Sequence, residues 1–183
     1  MRFNRERKRK SQEKSAVKQL IFDWVIPIVA ALIIAGLINK FVLFKVYIPS
    51  LSMYPTLDKG DQLFVTRVYN TDKIERGDIL VFDSQELDQL LIKRVIGLPG
   101  DQVEIADGTL MVNGEVIEED YVIYNQNISR LFQVPEGKYL FLGDNRANSN
   151  DSRYWDDPYI DGDSIEGKAQ IRIYPFNKIG FID

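Results

Sequence analysis

Two serines, Ser50 and Ser52, stand two residues apart in "PSLSMYPTL", flanked by Pro49 and Pro55 and beside the apolar Met53 and Leu57. Proline fixes φ near −65°, so the two prolines stiffen the loop that carries both hydroxyls. A serine held rigidly at an apolar surface suits nucleophilic attack, but it needs a base to take its proton. The chain has no histidine and no cysteine. That excludes a Ser-His-Asp triad, a cysteine nucleophile, disulfides, zinc thiolate sites and most transition-metal sites. The base is then a carboxylate or a lysine. A lysine serves only if burial depresses its pKa, because an ammonium in water holds its proton to about pH 10.4.

Of the 12 lysines, Lys93 stands out, in "QLLIKRVIGLPG". Lys8, Lys10, Lys14 and Lys18 belong to a basic start, and Lys59, Lys73, Lys138 and Lys178 to polar or turn-like stretches. Lys40 and Lys45 flank an apolar segment, where long side chains snorkel to water. Lys168 opens a polar-apolar strand. Strand alternation puts Lys93 on one face with Leu91 and Val95, and Ile92, Arg94 and Ile96 on the other. An edge-strand charge or half of an ion pair is the competing reading, and the pattern alone leaves both open. A third feature is "LGDNRANSNDSRYWDD", residues 142–157, crowded with turn formers. Numbered as a calcium loop from Asn148, it places Arg153 where glycine is needed and Tyr159 where a bidentate glutamate is needed, so that pattern fails. Asp151 and Arg153 are spaced to pair and to hold a hydroxyl such as Ser149 near Lys93. No metal and no cofactor is expected.

The elements that must position these groups fall in two parts. Residues 1–18 carry a net charge of +6 and the remaining 165 a net charge of −10. The acidic remainder has no basic stripe for nucleic acid. From Trp24 to Ile38 there are 15 apolar residues without a break, extended to Leu20 with the one charge Asp23. A basic flank before such a run orients a membrane helix with its N-terminus inside. The expected organisation is a basic cytoplasmic tail (1–18), a transmembrane anchor (19–40) and an extracytoplasmic domain (41–183). A cleaved signal peptide and a buried core helix compete, but no small-x-small site follows the run and it is apolar on all sides. Beyond residue 45, short runs such as "DQLFVTRVY", "DILVFDS", "LLIKRVIGL", "DQVEIA" and "KAQIRIYPF" alternate with turn signals. This predicts a mostly β domain. Asp107-Gly108 and Asn113-Gly114 mark hairpin turns.

In this order, behind one N-terminal anchor, the motifs resemble those of the bacterial type I signal peptidases. "IPSLSMYPTL" is similar to the family's nucleophile box, "ERGDILVF" to its following strand, "IKRVIGLPGD" to its lysine box and "GDNRANSNDSR" to its C-terminal box. The resemblance implies an antiparallel-β peptidase domain with a small β cap near residues 102–135. It implies Ser52 as nucleophile and Lys93 as general base. Ser50 would donate to the oxyanion beside the Ser52 N–H, Ser149 would orient the lysine amine, and Asp151 and Arg153 would form a supporting pair. Val46, Ile48, Met53, Leu57 and Ile92 fall where the family lines its shallow pockets. The implied activity is a membrane-anchored endopeptidase that removes signal peptides from secretory preproteins after small residues at the first and third positions before the bond. The implied setting is the plasma membrane, among lipid and the protein-export machinery. Ala147 departs from the Asp often found after "GDNR", which puts one local polar contact in doubt. A membrane-tethered, non-catalytic β domain that binds extracellular protein is the alternative from another class.

Overall fold

The structure is a computed structural model describing residues 18–19 and 21–182. The basic tail before Lys18 lies outside the described residues. The chain divides into two compact units, Met1–Val42 and Leu43–Asp183.

In the first unit a π-helical turn, Ile21–Val25, leads into helix α1, Ile26–Phe41. Pro27 stands just past the junction of the two, where its ring offers no N–H to the preceding turn. None of the α1 side chains is buried, although the helix is apolar on every side. Phe22–Phe41 spans 20 residues with a mean hydropathy of 2.0. At 1.5 Å per residue that is about 30 Å, the thickness of a bilayer's hydrocarbon core. The helix is long and apolar enough to cross a membrane.

Among the described residues the second unit is built from twelve strands in two antiparallel sheets. The strands are β1 (Leu43–Tyr47), β2 (Gln62–Arg67), β3 (Ile79–Ser84), β4 (Gln89–Gly97), β5 (Gln102–Ala106) and β6 (Thr109–Val112). They continue with β7 (Glu115–Val116), β8 (Arg130–Gln133), β9 (Lys138–Leu142), β10 (Tyr159–Asp161), β11 (Ile165–Tyr174) and β12 (Gly180–Phe181). The larger sheet runs β1-β2-β11-β3-β4-β9-β10, with β12 paired to β11, and the smaller runs β7-β6-β5-β8. The smaller sheet is formed by strands between Gln102 and Gln133. Its two turn dipeptides all take positive φ (Asp107 49°, Gly108 82°, Asn113 54°, Gly114 83°), the conformation of a two-residue hairpin turn.

Strand β3 reads "ILVF" because both faces of the sheet are covered. Ile79 and Val81 pack with Ile48, Met53, Leu57 and Ala169. Leu80 and Phe82 pack with Val95, Phe141 and Trp155. A third cluster joins the sheets: Val103, Leu110 and Phe132 of the smaller pack on Ile96, Leu140 and Leu142 of the larger. Gly97 lies at that seam, where an added Cβ would come within 2.7 Å of a Val134 methyl and 3.0 Å of Leu140 Cβ.

Candidate active site

The loop of residues 49–61 joins β1 to β2. Met53 and Leu57 are its anchors. Both are fully buried beside Ile48, and the Leu57 N–H donates to the Met53 carbonyl at 2.8 Å. Driving two apolar side chains into the core pins the loop and leaves its polar residues at the surface. Ser50 is exposed and Ser52 is half-buried.

Lys93 comes from β4, opposite Leu80 of β3. It is only 3% exposed, and its Nζ lies 2.5 Å from Ser52 Oγ, hydrogen-bonded to it. Ser50 Oγ lies 3.3 Å from Ser52 Oγ. Burial lowers the lysine pKa to about 8; Asp151 opposes the shift, Arg153 adds to it and Asp144 opposes it. A substantial neutral fraction near neutral pH is what a lysine base requires.

The residues after β9 clamp this pair. The Asn145 N–H donates to the Ser52 carbonyl at 3.1 Å, and Asn145 Nδ2 to the Leu51 carbonyl at 3.1 Å. Gly143 approaches so closely that a Cβ there would lie 2.5 Å from the Ser52 carbonyl and 2.2 Å from Ser149 Oγ. The Gly143 N–H donates to Asp151 at 2.9 Å. Asp151 in turn binds Arg153 through both oxygens, at 2.7 and 2.9 Å. Arg94, the neighbour of Lys93, makes a bidentate pair with buried Asp144 at 2.9 and 2.8 Å, and Thr56 Oγ1 donates to the same carboxylate at 2.5 Å. Arg146 donates to the Gly143 carbonyl at 3.1 Å and to Glu119 through two nitrogens, at 2.8 and 2.5 Å. Tyr121 donates to Glu119 at 2.7 Å, and the Arg94 guanidinium lies 3.9 Å from the centre of its ring. Burial and the Glu119 carboxylate push the Tyr121 phenol well above its ordinary range, so it stays a donor.

The structure brings Ser50, Ser52, Lys93, Val46 and Ile92 together around one cavity of about 210 Å³. It does not bring Ile48, Met53 and Leu57 to that surface; they are core residues beneath the loop. Asp151 and Arg153 form the expected pair. Ser149 is buried beside Gly143, and its Oγ has no hydrogen-bond partner among the described residues, Lys93 included. Sequence reasoning missed Gly143, Asp144, Asn145, Arg146, Arg94 and Glu119. A signal was present for Arg94: a charged residue in so apolar a strand needs a buried partner.

Two strand edges border the cavity. Among the described residues strand β1 pairs only with β2. Residues 89–93 of β4 pair with β3, while β9 joins β4 only from Arg94 onward. Unpaired edges on both sides can accept an extended peptide as an added strand. No cluster of acidic ligands suited to a metal occurs among the described residues.

Residues 21–174 match the family model described as signal peptidase, peptidase S26. A signal peptidase IB of Staphylococcus aureus (strain COL) is 39% identical over 182 residues, 88% of this chain and 94% of that protein. A signal peptidase I of Bacillus licheniformis is 37% identical over 182 residues, 92% of this chain and 97% of that protein. A crystal structure of a signal peptidase I from Enterococcus faecalis shares 38% identity with a TM-score of 0.48, covering 52% of this chain and 96% of that one.

Proposed function

The chain belongs to the signal peptidase I family, peptidase S26, and from that premise we propose that Ser52 and Lys93 are the dyad with which it cuts. The protein is a serine endopeptidase that removes signal peptides from preproteins. The 2.5 Å contact between Lys93 Nζ and Ser52 Oγ carries the assignment of the dyad.

In this reading neutral Lys93 takes the Ser52 proton as Oγ attacks the scissile carbonyl. The carbonyl oxygen becomes an oxyanion held by Ser50 Oγ–H and the Ser52 N–H. Removing one such donor typically costs about 10²–10³ in rate. Protonated Lys93 gives its proton to the departing amine, then takes one from the water that hydrolyses the acyl-enzyme. Asn145 keeps the nucleophile loop in register, and the Asp151–Arg153 pair holds Gly143 against it. The signal-peptide end lies extended between the edges of β1 and β4. Val46 and Ile92 meet its small side chains, so Ala fits and larger groups overlap. The apolar helix anchors the chain in the plasma membrane with its N-terminus inside and residues 41–183 outside, among lipid and beside the export machinery.

The test is cleavage of a preprotein with an Ala-x-Ala site by wild type, Ser52→Ala and Lys93→Ala. Both variants should lose cleavage while keeping the wild-type circular dichroism spectrum. Full activity in either one removes that residue from the dyad.

A further inference from the structure

The cavity that holds Val46 and Ile92 accounts for one side of the cleaved bond. A second cavity, of about 510 Å³, opens against the same loop and is lined by Leu51, Tyr54, Asp58, Tyr124, Asn145 and Ala147. Leu51 stands between the two serines and is 41% exposed, so one three-residue stretch borders both cavities. Asn145 ties the second cavity to the nucleophile, because it holds the Ser52 and Leu51 carbonyls.

We infer that this second cavity is a subsite for the released side of the substrate, binding an aromatic side chain two or three residues beyond the cleaved bond. The inference rests on the peptidase reading above. The substrate is one covalent chain whose scissile carbonyl meets Ser52 Oγ. With its signal-peptide end lying between Val46 and Ile92, its other end leaves past Leu51. Extended chain advances about 3.3 Å per residue, so two or three residues reach about 7–10 Å, across the width of a side-chain-lined wall. Successive side chains of that chain alternate, and one of them is presented to the wall.

The wall has aromatic chemistry. The Tyr54 and Tyr124 rings lie 5.9 Å apart at 34°, and Tyr124 is 49% exposed. Leu51 adds an isobutyl group and Ala147 a methyl. Two tilted rings offer both an edge and a face to a third ring, and such pairs contribute about 0.5–1.5 kcal/mol beyond area burial. The position of Tyr124 is fixed through its backbone, whose carbonyl accepts from the Ala147 N–H at 3.0 Å.

The experiment uses the full chain in detergent and a peptide series with one Ala-x-Ala site. The second and third residues after the bond are varied in turn among Ala, Phe, Lys and Asp. Wild type should show kcat/KM about 3–10-fold higher for Phe than for Ala at one of these positions, the range expected of one aromatic pair. Tyr124→Ala should bring that ratio to about one, whereas Leu131→Ala, an exposed change on β8, should leave it intact. A Phe preference that survives Tyr124→Ala, a wild type indifferent at both positions, or a preference for Lys instead overturns the subsite. Those outcomes leave the peptidase standing. Failure of wild type to cut any peptide or preprotein overturns the peptidase and the subsite together, and cutting by Ser52→Ala overturns Ser52 as nucleophile and with it the subsite placed beside it.

Discussion

At the scale of single residues, in the proposed dyad it is Lys93 that sets how the site responds to pH. With a pKa lowered to about 8, its neutral form is the minority at pH 7 and the majority at pH 9. kcat/KM on an Ala-x-Ala peptide should therefore rise through pH 8 and level off above it, by about tenfold between pH 7 and the plateau. A profile flat from pH 6 to 10 would remove Lys93 as the titrating base. The same shift has a stability consequence of definite sign. The unfolded lysine titrates near 10.5 and the folded one near 8, so below pH 8 the fold carries a desolvated ammonium. The penalty is full there and is relieved as pH rises from 8 towards 10.5, because over that interval only the unfolded chain keeps the proton. Two and a half pKa units correspond to about 3 kcal/mol. Lys93→Met, similar in length and apolar, should be inactive yet melt higher than wild type at pH 7, with the advantage shrinking by pH 9.5. Thermal melts of both proteins at both pH values test this, and an advantage that does not change with pH would contradict it.

At the scale of elements, the segment from Gly143 to Arg153 holds the nucleophile loop in place. Its glycine is required by proximity: a Cβ at 143 would sit 2.5 Å from the Ser52 carbonyl, well inside contact distance. Gly143→Ala should therefore push Ser52 away from Lys93 and lower kcat by at least about 10²-fold, the scale of an ångström's misplacement. KM should change little, since the groove side chains are untouched; a kcat within threefold of wild type would show that the segment yields. Glu119 supports the clamp from the smaller sheet's side. Its carboxylate is the partner of a buried guanidinium, and Glu119→Ala would leave Arg146 buried and uncompensated, a loss of about 3–5 kcal/mol in unfolding measurements. A change under 1 kcal/mol would mean that water replaces the carboxylate. These contacts also show what the sequence could tell. The hairpins at Asp107-Gly108 and Asn113-Gly114 were legible because their turn chemistry is local. Strands β2, β3, β4 and β11 were legible as short apolar-rich runs set between turn signals. Strand β1 was hidden because "LFKVY" follows so closely on the membrane run, with only Asn39 and Lys40 as polar residues between them. Strand β9, "KYLFL", has too few polar residues to alternate, since its last four residues are all buried. Residues 143–146 of the clamp were given no individual roles, because Gly, Asp and Asn look alike whether they hold a turn or reach 90 residues back along the chain.

At the scale of the whole molecule, the two units divide the work. Ser50, Ser52, Lys93 and the clamp from Gly143 to Arg153 all belong to the unit Leu43–Asp183, and the membrane-length helix belongs to Met1–Val42. The apolar run of the helix was legible in the sequence, because it is a property of composition. The meeting of Ser52 with Lys93, 41 positions apart, needed the sheet to bring β4 beneath the loop. If the chemistry is confined to the second unit, the anchor contributes by concentration rather than by contact. A signal peptide is itself an apolar segment held in the bilayer, so tethering the peptidase to the same surface raises its effective concentration without any new interaction. Linked sites gain about 10²–10⁴ in this way when the geometry lets both engage. A chain lacking residues 1–42 should therefore keep kcat/KM within about threefold on a short soluble Ala-x-Ala peptide. On a preprotein inserted in lipid vesicles it should fall at least about tenfold behind the full chain. The two substrates assayed side by side separate the explanations. An equal loss on both would mean that the first unit supports the fold of the second, and no loss on either would mean that the membrane surface does nothing to gather enzyme and substrate.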